Sequence, residues 1–312
     1  MQPLTEQKII LIVRDTRLDE LVSRYNTISQ ARFYIEHLGA DFSDYQVEDQ
    51  NYKDAVQNAE QSLRKLGRVQ TLHRAFLPNF IFGGHDIVVT LGQDGLVANT
   101  LKYLKHQPVI GVNPDPQRWD GLLLPFEVED LGKIVPEVIA KDRNLKQITM
   151  ARAELSDGQQ LYAVNDFFIG AHTHVSARYR IRTGDRHEDQ SSSGIIVSTG
   201  LGSTGWFKSI VTGAVGIAGN FIDTQSKNEI NSAFAWDSDY LLFSVREPFP
   251  SQTTSTDLVF GKIDASSALV IESQMAENGV IFSDGMVNDY LAFNAGMQTT
   301  ISVAETYGNL VV

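Results

Sequence analysis

The sequence predicts two domains: an α/β N-terminal domain, doubly wound and Rossmann-like, over residues 1–143, and a mostly antiparallel β C-terminal domain over residues 144–312. Three observations predict them. In the first half, short β-branched runs alternate with stretches of helical period, which is the pattern of a parallel sheet with crossover helices. Near Arg143 the period changes, and alternating runs separated by turns such as Ser156-Asp157-Gly158 take over, the signal of hairpins. A chain of 312 residues is also long enough for two cores.

Taken in order, Ile9 to Val13 reads as a buried-type strand. Leu18 to Leu38 carries apolar residues at helical spacing and stops at Gly39, and a second helix spans Tyr52 to Leu66 before Gly67. The run Ile87 to Thr90 is a strand that meets the turn Gly92-Gln93-Asp94-Gly95, followed by a helical segment through Leu101 and Leu104. Pro108 to Asn113 is another strand, and Val128 to Lys141 the last helix of this half. The second half predicts strands at Gln147–Leu155, Leu161–Ile169, Val175–Thr183 and Gly194–Thr199, with Arg186 to Ser193 as a solvated loop and one helix starting near Ser203. From Tyr240 strands resume at 241–245, 258–262, 268–272, 280–282, 290–293 and 299–303.

Composition narrows the function. The formal net charge of −12 argues against a nucleic-acid partner, which a basic face would serve, and leaves open a small anion held by local donors. No apolar run approaches the roughly 20 residues of a membrane helix, and the chain opens on no signal-peptide pattern, so the expectation is a cytoplasmic protein without a membrane partner. Without cysteine there is neither a disulfide nor a thiolate metal site.

Three stretches can carry chemistry. In Gly92-Gln93-Asp94-Gly95 the acid projects from a strand-ending turn, where a carboxylate can orient an alcohol attacking a phosphoryl group and accept its proton late; as a bare motif it is equally a turn that ends a strand. In Ser198 to Trp206 a strand meets a glycine-rich turn and a helix start, so that Gly202, Ser203, Thr204 and Gly205 could bring hydroxyls and N–H groups to an anion or ribose; the alternative is a ligand-free helix start. Asn165-Asp166 places two poor strand formers inside an apolar run, either to read adenine or ribose or to make a β-bulge. His172 and His174 lack further nearby ligands, so no metal site is assigned.

Together these segments resemble the ATP-dependent NAD kinase family, and within it the divergent branch that includes the animal mitochondrial enzymes. Leu91 to Gly95 resembles the family's Gly-Gly-Asp-Gly-Thr motif, and Gly111 to Pro116 with Gly121-Leu122 its Gly-Val-Asn segment. Asn165-Asp166 is similar to its Asn-Glu/Asp pair, Ser198 to Trp206 to its Thr-Gly-x-Gly-Ser segment, and Phe243 to Pro248 to a C-terminal signature of the branch. The resemblance implies transfer of the γ-phosphoryl of ATP, with Mg²⁺, to the 2′-hydroxyl of the adenosine ribose of NAD, giving NADP. It implies Asp94 as the carboxylate handling the acceptor, Gly92 and Gly95 admitting phosphate, Asn165 and Asp166 binding the adenosine part, and Gly202, Ser203, Thr204, Gly205 and Trp206 lining the nucleotide cleft. It also implies a homo-oligomer, dimer or tetramer.

The chain departs from the family pattern at Gln93, where the family has its second glycine, at Leu96, where it has threonine, and at Ser193, where many bacterial members carry an acid. If the turn needed glycine-only backbone, Gln93 would carry strain of about 1 kcal/mol or more. Two other readings therefore stand beside the NAD kinase: a kinase for another alcohol, sugar or lipid, and a non-catalytic NAD(P)-binding protein.

Overall fold

The computed structural model describes residues 5–221, 232–286 and 289–312. The chain divides into two compact units, Met1–Lys146 with Asn309–Val312, and Gln147–Gly308.

The first unit is built on a parallel sheet of β1 (Lys8–Val13), β2 (Arg68–His73), β3 (Ile87–Leu91), β4 (Pro108–Asn113) and the short β5 (Phe126–Glu127). The strands lie in the order 2-1-3-4-5, with every pair parallel. Consecutive Ile9, Ile10, Leu11 and Ile12 are all fully buried, as are Val88 and Val89, because a parallel sheet is covered on both faces. Helices α1 (Arg17–Tyr25), α2 (Ile28–His37), α3 (Ser43–Arg64), α4 (Asp94–Leu101) and α5 (Leu131–Ala140) complete the unit. Tyr52, Ala55, Ala59 and Leu63 of α3 and Leu131, Ile134, Val135 and Val138 of α5 form a core with strands β1, β3 and β4.

Sequence and structure differ here at several places, the short β5 among them. The single helix expected over 18–38 is two, because Asn26 takes a left-handed conformation (φ 66°) and the Thr27 hydroxyl then accepts the Gln30 N–H to start a new helix. The helix expected from Tyr52 begins at Ser43, since its first turns are largely polar, turn the charged Glu48 inward and so carry no apolar period. Strand β2 was not expected: Val69 and Leu72 are its larger apolar residues, and its place is fixed by backbone pairing to β1.

The second unit is a sandwich of two antiparallel sheets. Its elements are β6 (Leu145–Leu155), β7 (Gln160–Ala163), β8 (Asp166–Ala171), β9 (Ala177–Thr183), β10 (Arg186–Ser192), β11 (Ile195–Ser198), α6 (Trp206–Ala218), β12 (Leu241–Val245), β13 (Phe260–Ile263), β14 (Leu269–Ser273), β15 (Gly279–Ser283), β16 (Tyr290–Ala292) and β17 (Gln298–Val311). One sheet runs β10-β9-β14-β17 with β6 and β7 beyond; the other runs β13-β12-β11-β8-β15-β16. Tyr179, Ile181, Ile271 and Ile301 from the first meet Phe167, Ile169, Val197, Phe243 and Ile281 from the second in one buried core. The final residues of β17 return to the first unit, where Asn309 and Leu310 pair in parallel with Pro108 and Val109.

Three expectations are corrected in this unit, one being that the last strand, expected over 299–303, runs on to Val311. The polar run Arg186 to Ser193, read as a loop, is strand β10 through Ser192, paired to β9 along its length from Arg186↔Thr183 to Ser192↔Ala177. Its inward positions are Gln190, whose amide N–H donates to the Leu258 carbonyl, and Ser192, bonded to the Tyr179 hydroxyl, so no hydrophobic alternation marks it. The strand expected over 161–169 is split at Val164-Asn165 into β7 and β8.

The order 2-1-3-4-5 reverses direction between β1 and β3, and the carboxyl ends of these two strands are where an open α/β sheet leaves a crevice. Tyr52 ties those ends together: its hydroxyl donates to the Leu91 carbonyl (2.9 Å) and accepts the Arg14 N–H (2.9 Å). Burial pushes this phenol up to about 12, so it stays a donor at any physiological pH. Tyr52→Phe should therefore leave a buried N–H and a buried carbonyl unpaired, costing about 1–3 kcal/mol in urea denaturation.

Candidate functional site

In the first unit the site residues sit at the carboxyl end of β3. Strand β3 ends at Leu91, Gly92 donates its N–H to the Val112 carbonyl (3.2 Å), and Gln93 caps α4 without a side-chain bond. Asp94 is the first residue of that helix. Its carboxylate accepts the N–H groups of Leu123 (2.7 Å) and Leu122 (3.2 Å), which fixes it against the loop between β4 and β5. This is the Gly121-Leu122 stretch, so two of the motif segments do converge.

The strain expected at Gln93 is absent. Gln93 is extended (φ −112°, ψ 164°), and neither Gly92 nor Gly95 has a positive φ. Gly92 sits in tight space: a Cβ there would stand 2.9 Å from Leu96 Cδ2, the end of a side chain that would have to turn aside. Leu96 is itself buried, so the residue standing for the family's threonine fills the room above Gly92. At Gly95 an added Cβ meets nothing within 4 Å, and the surface beside Asp94 is open.

An ionic network drawn from four places in the chain reaches this turn through Arg14, and none of its members was picked out by sequence. Arg14, at the end of β1, pairs with the buried Glu48 (3.0 Å) and lies beside Gly92, its Cδ 3.8 Å from where a Cβ would be. Arg17 binds the other Glu48 oxygen (3.0 Å) and Asp44 (2.7 Å), and Arg118 binds Asp44 from the β4–β5 loop (2.6 Å). The hydrogen bond from Arg118, backed by Arg17, holds the Asp44 carboxyl down at about 2.

In the second unit Asn165, Asp166 and the glycine-rich turn are brought together. Asn165 lies at the break between β7 and β8, and its backbone is held from both sides. The Asp284 carboxylate accepts the N–H groups of Val164 (3.0 Å), Asn165 (2.7 Å) and Asp166 (3.2 Å). Thr199 returns two bonds, from its hydroxyl to the Val164 carbonyl (2.5 Å) and from its N–H to the Asn165 carbonyl (2.9 Å). Gly202 packs directly on this kink; a Cβ there would stand 2.0 Å from the Asn165 carbonyl oxygen. The Asn165 side-chain amide has no partner among the described residues.

The turn itself differs from the expected helix cap. Gly202–Thr204 form one 3-10 turn, Gly205 caps α6, and no side chain caps the helix. Ser203 is fully buried, donating to the Gly200 carbonyl (2.7 Å) and accepting the Phe234 N–H (3.2 Å), so it shapes the turn. Thr204 Oγ1 reaches back to the Leu201 carbonyl (3.4 Å). Trp206 is part exposed, stacked beside Phe168 (5.9 Å between centroids, 13° between planes) with the Arg246 guanidinium 5.5 Å from its ring. Phe168 lies flat over the sheet, since a Cβ on Gly170 or Gly194 would come within 2.7 or 2.6 Å of its ring. Phe168 follows Asp166 at the strand period of two, which places both on the outer face of the sandwich.

Burial pushes the Asp166 carboxyl up to about 7, and the neighbouring Asp284 charge pushes the same way. Asp284-Gly285 reads in sequence only as a turn; the left-handed Asp284 (φ 53°) is also the anchor of the site. No cluster of three or more His, Asp or Glu residues able to hold a metal occurs among the described residues, His172 and His174 included.

No family profile matches the chain. It is similar to the NAD kinase of Thermoplasma acidophilum, 28% identical over 128 residues; the match covers 40% of this chain and 45% of that protein, so the chain spans about half the length of the relative. The crystal structure of an NAD kinase from Archaeoglobus fulgidus in complex with ATP superposes with a TM-score of 0.58 at 15% identity, covering 98% of this chain and 94% of that one. The yeast NADH kinase complexed with NADH gives 0.59 at 14% identity, covering 99% and 84%. The chain has the fold of the NAD kinases. The resemblance to the NAD kinase family read from the motifs thus recurs in a curated relative and in two solved structures. No described helix is long and apolar enough to cross a membrane.

Two predictions follow from the second-unit geometry. Gly202→Ala should unfold the turn or cost more than about 3 kcal/mol, read as loss of cooperative melting, because the methyl has no room against backbone. For Asp166 the folded chain keeps, between the ordinary carboxylate range and pH 7, a proton that the unfolded chain has lost, so stability falls as pH rises through that window. Asp166→Asn should flatten that fall by about 1–3 kcal/mol between pH 5 and pH 8 in matched denaturant titrations.

Proposed function

We propose that this protein is an NAD(H) kinase, transferring the γ-phosphoryl of ATP to the adenosine ribose 2′-hydroxyl of NAD or NADH. The observation that carries the reading is Asp94, on the first turn of α4 at the β1/β3 switch point, with its carboxylate oriented by two backbone N–H groups. A carboxylate is too weak a base to ionise an alcohol in advance, so Asp94 orients the hydroxyl and accepts its proton as the bond to phosphorus forms. The open surface at Gly95 and the uncapped N–H groups of α4 suit the donor phosphates. Gln93 adds a side chain there without distorting the backbone, so it bears on which donor fits rather than on whether the turn forms.

Asn165 and Asp166 bind the adenosine part. The free amide offers a donor and an acceptor, and Asp166, held near neutrality, offers an acceptor or a donor according to pH. Trp206 and Phe168 supply flat apolar faces on which a base can stack. Gly202, Ser203, Thr204 and Gly205 act mainly as the scaffold that sets Asn165 and Trp206 in place. Mg²⁺ would travel with the ATP phosphates, since this ion keeps several waters and needs few protein carboxylates. The printed names of the relatives, an NAD kinase, an NAD kinase with ATP and a yeast NADH kinase with NADH, support the substrate class. The protein would act as a homo-oligomer in the cytoplasm.

Incubation of the protein with ATP, Mg²⁺ and either NAD or NADH should yield NADP or NADPH, with polyphosphate as an alternative donor in a parallel arm. Asp94→Asn should lower kcat by about 10²–10⁴-fold while nucleotide binding persists. Equal turnover by the variant removes Asp94 from this role. Tight NAD binding with no product from any donor would instead mark a non-catalytic binding protein.

A further inference from the structure

At the amino ends of the first unit's strands, the end opposite Asp94, the fold encloses a cavity of about 370 Å³, within the size range of small-molecule sites. One wall is apolar: Ile87, Pro108, Val138 and Ile139 line it. The other wall is basic, with His85 from the approach to β3, His106 from the approach to β4, and Lys141 and Arg143 from the chain that follows α5.

Most of these groups have no acidic partner in the lining. Asp86 also lines the cavity, but its carboxylate already accepts the Gly83 N–H (2.8 Å) and pairs with Lys8 (3.5 Å). Arg143 is committed to Glu137 (2.6 Å). His85, His106 and Lys141 have no carboxylate partner among the described residues. Lys141 also takes a left-handed backbone (φ 60°), a conformation glycine adopts more readily, so a basic side chain stands where the backbone does not favour one. In a chain of net charge −12, the lining of this partly apolar hollow carries Lys141 and Arg143 against the single acid Asp86, with the two imidazoles as further hydrogen-bonding groups. A second hollow of about 760 Å³ shares Gln7, Gly84, His85 and Asp86 with the first and is lined besides by Glu6, Lys8 and Arg68.

We propose that this cavity binds a small organic anion, its phosphate or carboxylate head at His85, His106 and Lys141 and its apolar body against Pro108, Val138 and Ile139. The site lies wholly within the first unit and is independent of the phosphoryl-transfer reading. Strand β3 connects it to the Asp94 turn, since Ile87 lines the cavity and Leu91 leads into the turn.

Calorimetric titration of the full chain with phenyl phosphate, benzoate, inorganic phosphate and benzylamine tests it. Phenyl phosphate or benzoate should bind with one-to-one stoichiometry, the stronger of the two identifying the head group; inorganic phosphate should bind at least about tenfold more weakly, and benzylamine not at all. Two variants locate the site. Gly84→Phe fills the hollow from a position where an added Cβ meets nothing within 4 Å, and Lys141→Glu reverses one charge on the surface. Each should weaken binding at least about tenfold with melting unchanged. Lys141→Glu carries the test by itself should Gly84→Phe melt early. Absence of binding by both aromatic anions, or binding of equal strength in the wild type and Lys141→Glu, overturns the proposal.

Discussion

The first unit depends on a single phenol. A doubly wound sheet parts at its switch point because the crossover helices leave to opposite sides, and the strand ends bordering that gap lack a common partner. Here the Tyr52 hydroxyl supplies one, joining the Arg14 N–H to the Leu91 carbonyl. The position of Gly92, the start of α4 and hence the direction of the Asp94 carboxylate all follow from where Leu91 ends. Around that joint the guanidinium groups of Arg14, Arg17 and Arg118 and the carboxylates of Glu48 and Asp44 draw the loops after β1 and β4 onto α3.

The second unit solves a different problem with the same economy. Asn165 must leave the ladder between β7 and β8 if its side chain is to be free, and leaving it strands three backbone N–H groups and two carbonyls in a largely buried place. Asp284 takes the N–H groups and Thr199 the carbonyls. Placing a second carboxyl, Asp166, beside Asp284 in a desolvated setting is the electrostatic consequence, and it raises that group toward neutrality. A group poised this way is common where ligands are read, because a small change in surroundings changes its protonation.

Much of this was legible in sequence where a residue announces its own backbone. Ile87 to Gly95 read as strand, turn and helix, Pro108–Asn113 and Leu241–Val245 as strands, and the change of period near Arg143 announced the β-rich half. What escaped depends on partners far along the chain. Strand β10 carries polar residues inward that bond to Tyr179 and Leu258, and no local period can show that. Asp284 looked like turn chemistry alone, since its three N–H partners lie some 120 positions earlier. At Gln93 the motif left open a glycine-only backbone, a question that local sequence cannot answer; the extended φ of −112° answers it, and the neighbouring Gly92 lies close under Leu96.

The return of the last strand has a kinetic consequence. Strand β4 is bordered at its start by Asn309 and Leu310, and the Asn309 amide also bonds the His106 carbonyl, 203 positions away in the chain. During synthesis the first unit emerges early and can collapse around α3 and α5, yet one edge of its sheet stays unpaired until the whole β-rich half has been made. Closing so long a loop adds little to its entropic cost but sets the order of events, and it leaves the exposed edge of β4 as the place where a nascent chain is open to misplaced pairing.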